Sequence, residues 1–105
     1  MKTVMEYLSH TKMETLRKRI VCKDGFSISV QATKYAYCYP RVTGSDYYEE
    51  VECGFPSAAP EGILEYAENP DNYTETVYGY VPIHKVERLV ESHSGIDFDK
   101  TLQQY

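Results

Sequence analysis

The stretch Ile20-Val21-Cys22-Lys23-Asp24-Gly25-Phe26-Ser27-Ile28-Ser29-Val30-Gln31-Ala32 decides the fold. Asp24-Gly25 is a dipeptide that tolerates the positive φ angles of a tight hairpin turn. Beyond it, Phe26, Ile28, Val30 and Ala32 alternate with Ser27, Ser29 and Gln31. A period of two marks a strand with one face in the core and the other in water. Ile20 to Cys22 supplies the partner strand, so the chain contains an antiparallel hairpin with a buried side.

The pattern continues outward from the hairpin. Tyr35 to Tyr39 alternates, with Ala36 and Cys38 opposite three tyrosines, and Pro40 ends that strand because it offers no ladder donor. Val42 to Asp46 reads as a loop. In the next strand Tyr47, Glu49, Val51, Cys53 and Phe55 share one face, and Tyr48, Glu50 and Glu52 share the other. Carboxylates oppose strand formation unless their face meets water or a basic partner. Residues 56–72 hold three of the five prolines and form a long irregular connection, with one helical turn near Ile63 to Ala67. Thr76 to Val81 returns as a strand, with Tyr78 and Tyr80 on one face.

Helices close the two ends. Val4, Tyr7 and Leu8 give a short helical stripe over 3–12, and Ile83, Val86, Leu89 and Val90 give a second over 82–94. Pro82 suits a first helical position, and Gly95 suits a left-handed cap after which Ile96 folds back. The expected fold class is α+β: a mostly antiparallel sheet of four or five strands, with an N-terminal and a C-terminal helix packed on one face. Residues 1–96 form the single domain. Residues 97–105 form a tail that is either mobile or docked through Phe98 and Leu102.

Charge is sorted along the chain. Val42 to His84 carries nine carboxylates and no Lys or Arg, whereas the first 41 residues carry eight Lys/Arg against three acids. The total is −5, which disfavours direct nucleic-acid binding while leaving room for one phosphate ligand near the basic third. The same sorting would let the basic third of one copy pair with the acidic block of another, a homo-oligomer; neutralisation within one fold is the alternative. With 105 residues there is one domain, and an apolar fraction of 42% implies a small core.

Three cysteines, an odd count, and a start without an apolar run lead us to expect a cytoplasmic protein with reduced thiols. No stretch approaches the ~18 apolar residues of a membrane helix, so no membrane partner is expected.

Chemistry-bearing motifs are scarce. Cys22, Cys38 and Cys53 lack the close pairing of zinc ligands, so no metal and no cofactor is expected. His84 and His93 fall on opposite faces of the second helix, and no nucleophile elbow or phosphate loop is present, so no catalytic residue is assigned. Arg17-Lys18-Arg19 reads as a solvated strand edge.

Two surfaces remain. Lys34, Tyr35, Tyr37, Tyr39 and Arg41 put three phenols between two cations, which suits a flat group carrying phosphate. The plainer reading lays these tyrosines on the sheet beneath a helix. Tyr47, Tyr48, Glu49, Glu50 and Glu52 form an acidic, tyrosine-bearing face suited to a protein partner, imitating a nucleic-acid backbone. The plainer reading is a solvated face.

Arg19 to Ala32 and Glu75-Thr76-Val77-Tyr78-Gly79-Tyr80-Val81-Pro82 resemble a group of small uncharacterised proteins encoded in bacteriophages and prophages. The likeness covers roughly residues 19–96 and brings no catalytic residues. It implies an accessory protein in the bacterial host cytoplasm that counters host defence. The expected function is therefore a non-enzymatic binding protein, a phage inhibitor of bacterial immunity that sequesters a nucleotide-derived signal. The alternative is an acidic inhibitor of a host defence protein, of the anti-CRISPR nucleic-acid-mimic type.

Overall fold

The computed structural model describes residues 3–103. Its elements, in chain order, are α1 (Val4–His10), β1 (Ile20–Val21), β2 (Ser27–Gln31), β3 (Glu50–Gly54), the expected helical turn as a short 3-10 helix (Leu64–Tyr66), β4 (Val77–Pro82), α2 (Ile83–Ser92) and α3 (Phe98–Leu102). The strands form one antiparallel sheet in the order β1-β2-β3-β4. The fold is α+β, as the sequence predicts.

The hairpin sets the register. Ile20 faces Ile28 and Val21 faces Ser27. Gly25, at φ 97°, closes the turn, and its N–H donates to the Cys22 carbonyl at 3.0 Å. Phe26, Ile28, Val30 and Ala32 are all buried, so the period of two holds through β2. Thr3 caps α1 in a reciprocal box with Glu6. The apolar stripes Val4, Tyr7, Leu8 of α1 and Val86, Leu89, Val90 of α2 join the same core. Removing such stripes from water is the main force holding each helix in place.

α2 stops at Ser92, two residues before the predicted end, and Gly95 closes it as expected. Gly95 at φ 85° donates its N–H to the Val90 carbonyl at 2.9 Å, and Ile96 returns to pair with Cys22. At the other end Pro82 still pairs with Glu50, and the helix begins at Ile83, one residue later than the spacing predicts. The tail docks through α3. Asp97 caps it, and the Thr101 hydroxyl accepts from the Val21 N–H at 2.9 Å, covering the edge of β1. Tyr105, the end of the expected tail, lies outside the described residues.

Four expectations fail for physical reasons. Tyr35 to Tyr39 is not a strand; only Tyr39 makes a bridge, to Glu50. Thr33 captures the local donors instead: its hydroxyl accepts from the Tyr35 N–H at 3.1 Å, and its carbonyl from Ala36 N–H and the Cys38 thiol. Short polar side chains offer this alternative to a ladder.

Tyr48 does not share an outer face with Glu50 and Glu52. It lies wholly in the core, and its hydroxyl donates to the Val42 carbonyl at 2.7 Å. Strand geometry starts only at Glu50, so the alternation cannot be extended back to Tyr47.

Tyr78 and Tyr80 also part company. The β3–β4 register shifts between Val51 and Cys53, which turns Tyr78 inward and Tyr80 outward. A bulge adds one residue and inverts the phase beyond it.

Arg17, finally, is no solvated edge. It is buried, and its guanidinium donates to Thr11 Oγ1 at 2.8 Å, the Ala32 carbonyl at 2.7 Å and the Leu8 carbonyl at 3.2 Å. Neutral acceptors, rather than water, satisfy its fork.

Candidate functional site: a tyrosine and arginine platform

The segment between β2 and β3 starts as a chain of turns and leans across the sheet. Tyr37 is its anchor. The Tyr37 N–H donates to Glu52 Oε1 at 2.9 Å, and the Tyr37 carbonyl accepts from the Tyr80 N–H at 2.9 Å. One residue thus joins the outer side of β3 to the bulge in β4. Gly79 packs directly against this residue: a Cβ there would lie in ordinary contact, 3.4 Å, with the Cβ of Tyr37.

Tyr39 is held just as firmly. Its N–H donates to the Glu50 carbonyl at 3.0 Å, and its carbonyl accepts from Glu49 and Glu50 N–H at 2.8 and 3.2 Å. The next peptide, Tyr39–Pro40, is cis. Lys34 is tied by its own N–H to Thr43 Oγ1 at 3.2 Å. The backbone of the segment is thus fixed at Lys34, Tyr37 and Tyr39.

Those side chains face water. Tyr35, Tyr37 and Tyr39 are 72%, 40% and 58% exposed, so no helix covers them. The small residues between them, Ala36 and Cys38, are buried and supply the anchoring contacts. The cations lie over the rings: Lys34 Nζ is 5.2 Å from the Tyr35 ring centre, and the Arg41 guanidinium carbon is 5.5 Å from that of Tyr37. Both distances are those of cation–π contact.

Tyr80 completes the platform. Its ring centre is 5.9 Å from that of Tyr37, the planes are tilted by 33°, and it is 44% exposed. Its backbone sits at φ 53°, in the left-handed region that bulky side chains avoid. Sequence spacing gave it no special place, because the bulge that turns it outward depends on pairing with β3. Phe55, at φ 49° and 48% exposed, shares this combination of left-handed backbone and exposed ring.

The five residues Lys34, Tyr35, Tyr37, Tyr39 and Arg41 all belong to this exposed segment. The acidic set does not hold together. Tyr48 is in the core, Glu50 is half-buried, and Glu52 is engaged by the Tyr37 N–H, which leaves Tyr47 and Glu49 exposed.

The titratable groups found elsewhere serve the fold. Asp24 Oδ2 lies 2.8 Å from His93 Nδ1, and His93 stacks on Phe26 with ring centres 3.9 Å apart. The Phe26 N–H first, and His93 second, hold the Asp24 carboxyl below its usual range. Burial pushes the thiols of Cys22, Cys38 and Cys53 upward, Cys22 to about 11.

Among the described residues no group of three His, Cys, Asp or Glu is placed to hold a metal ion. None of the described helices is long and apolar enough to cross a membrane. No family model, no curated protein and no solved structure matches this chain.

Proposed function

We propose that this chain is a non-catalytic binding protein whose working surface is the platform of Tyr35, Tyr37, Tyr39 and Tyr80 with Lys34 and Arg41. The observation that supports it is the placing of two cations over two exposed phenols on a backbone anchored at Tyr37 and Tyr39. Rings of this kind stack on a flat group, and the cations meet a phosphate attached to it. The ligand class is therefore nucleotide-like. If the likeness to phage accessory proteins reflects origin, capturing such a signal would blunt a host defence.

Thermal unfolding against a panel of cyclic and linear nucleotides, including adenosine-diphosphate-ribose derivatives, tests this. A ligand at a hundred times its dissociation constant should stabilise the fold by about 2.7 kcal/mol. A folded variant with Tyr35, Tyr37 and Tyr39 all changed to Leu should lose that stabilisation. Full affinity in the variant would sink the proposal.

The openness of the platform favours a second reading. Small-molecule sites are concave, whereas protein partners meet open surfaces rich in Tyr and Arg. Glu49 adjoins the platform through its N–H on the Tyr39 carbonyl, and would extend it toward a basic partner. Such an association should weaken steeply with salt. A flat nucleotide panel together with salt-sensitive capture of one protein would select this reading.

A further inference from the structure

A second feature lies away from the platform. The connection between β3 and β4 packs against α2 and leaves a cavity of about 250 Å³, lined by Glu61, Gly62, Lys85, Arg88, Leu89 and Ser92. That is just below the ~300 Å³ at which sites for drug-sized ligands begin, so an occupant would be small.

The two walls are built differently. Glu61 and Gly62 sit on a tight turn in which the Ile63 N–H donates to the Pro60 carbonyl at 3.2 Å, with Pro60 and Ile63 both buried. On α2, Lys85, Arg88 and Ser92 follow at spacings of three and four, which puts them on one stripe of the helix. Leu89 borders the cavity but is only 2% exposed, its side chain being committed to the core. The Ser92 hydroxyl donates to the Leu89 carbonyl at 2.6 Å, leaving its oxygen free to accept.

Charge decides the ligand. Lys85 is already engaged: its Nζ lies 3.2 Å from Glu65 Oε2 and 5.1 Å from the Tyr66 ring centre. Among the described residues, neither the Glu61 carboxylate nor the Arg88 guanidinium has a side-chain partner. One acid and one guanidinium therefore line opposite walls of the same small cavity without closing on each other. A simple anion would be opposed by Glu61, and a simple cation by Arg88 and Lys85. A molecule carrying both charges satisfies both walls.

We infer that this cleft binds a free α-amino acid. Its carboxylate would meet Arg88 and its ammonium Glu61, and its side chain would take the remaining volume between the two walls. This inference is independent of the tyrosine platform.

The test is a titration of the full-length protein, followed through backbone amide resonances, with leucine, N-acetyl-leucine and leucine methyl ester. Leucine should shift the Gly62, Leu89 and Ser92 amides saturably, with a dissociation constant of about 1 mM or tighter. Blocking either charge should weaken binding about tenfold or more, because each blocked end leaves one protein charge unmatched. Arg88→Gln should bind leucine and its methyl ester alike, and Glu61→Gln should do the same for leucine and N-acetyl-leucine. Both positions are exposed, so these variants should fold. Absence of a saturable shift with leucine would overturn the inference. So would N-acetyl-leucine or the methyl ester binding the parent protein as well as leucine does.

Discussion

The Glu87 carboxylate on α2 receives the first two N–H groups of α1, from Val4 at 2.7 Å and from Met5 at 3.1 Å. Residues 83 positions apart are thereby joined at a helix end whose donors have no partner within the helix. The contact orients α1 on α2 and so helps to fix the face that covers the sheet. Glu87→Ala should cost about 1–3 kcal/mol, since two partly buried donors lose a charged acceptor. Urea unfolding measures it, and an unchanged midpoint would mean that Thr3 and Glu6 suffice to cap α1.

Tyr78 and Tyr80 stand two residues apart in β4 and should behave oppositely. Tyr78 is fully buried, with its hydroxyl on the Tyr73 carbonyl. Tyr78→Ala should lose about 3–5 kcal/mol. Tyr80→Asn should stay within about 1 kcal/mol of the parent, because Asn tolerates the left-handed backbone and relief of strain offsets the lost ring contact. A loss at position 80 as large as that at 78 would make Tyr80 a structural residue rather than part of a binding surface.

Arg17 organises three chain segments through Thr11, Leu8 and Ala32. Arg17→Ala should destabilise by about 3 kcal/mol or more, since several buried acceptors lose their donor together. Arg17→Lys should recover little, because a single ammonium cannot span a planar fork. Denaturant midpoints of the two variants decide this; near-parental stability of the Lys form would show that charge alone is what the site needs.

Acid should loosen the hairpin turn. The Asp24 carboxyl is held below its ordinary value of 3.8, by the Phe26 N–H first and His93 second. A depressed carboxyl contributes stability that is present above its unfolded value and is lost as pH falls through the folded one. Melting temperature should therefore drop below about pH 4. Asp24→Asn should show a shallower acid limb, and matching limbs in the two proteins would remove Asp24 from that dependence.

The three thiols should be inert while the chain is folded. Each is buried and each is pushed upward chiefly by loss of hydration, so little thiolate exists near neutral pH. Alkylation with iodoacetamide should proceed only after unfolding. Rapid labelling of native protein would point to local opening around β1 or the segment after Ala32.

The parts of the fold legible in the sequence were those governed by neighbours in the chain. Asp24-Gly25 with flanking alternation is a complete local instruction for a hairpin, and the α2 stripe closed by Gly95 is one for a helix. In each case the interacting groups lie within a few residues, so periodicity and turn chemistry determine the outcome.

What tertiary structure alone decided is the platform and the phase of the later strands. Tyr35 to Tyr39 alternates as a strand would, yet Thr33 draws its donors into turns, and Glu52 and Tyr80 then hold Tyr37 from two different strands. Tyr80 faces outward because of a register shift opposite Val51 and Cys53, a fact about pairing that no local pattern contains. Arg17 reads as surface and ends in the core because its acceptors come from α1 and from the end of β2, near in space and dispersed in sequence. The identities of the tyrosines and cations were set by the sequence itself. The hold of Glu52 and Tyr80 on Tyr37 required contacts between residues that are distant along the chain, and those contacts exist only once the sheet has formed.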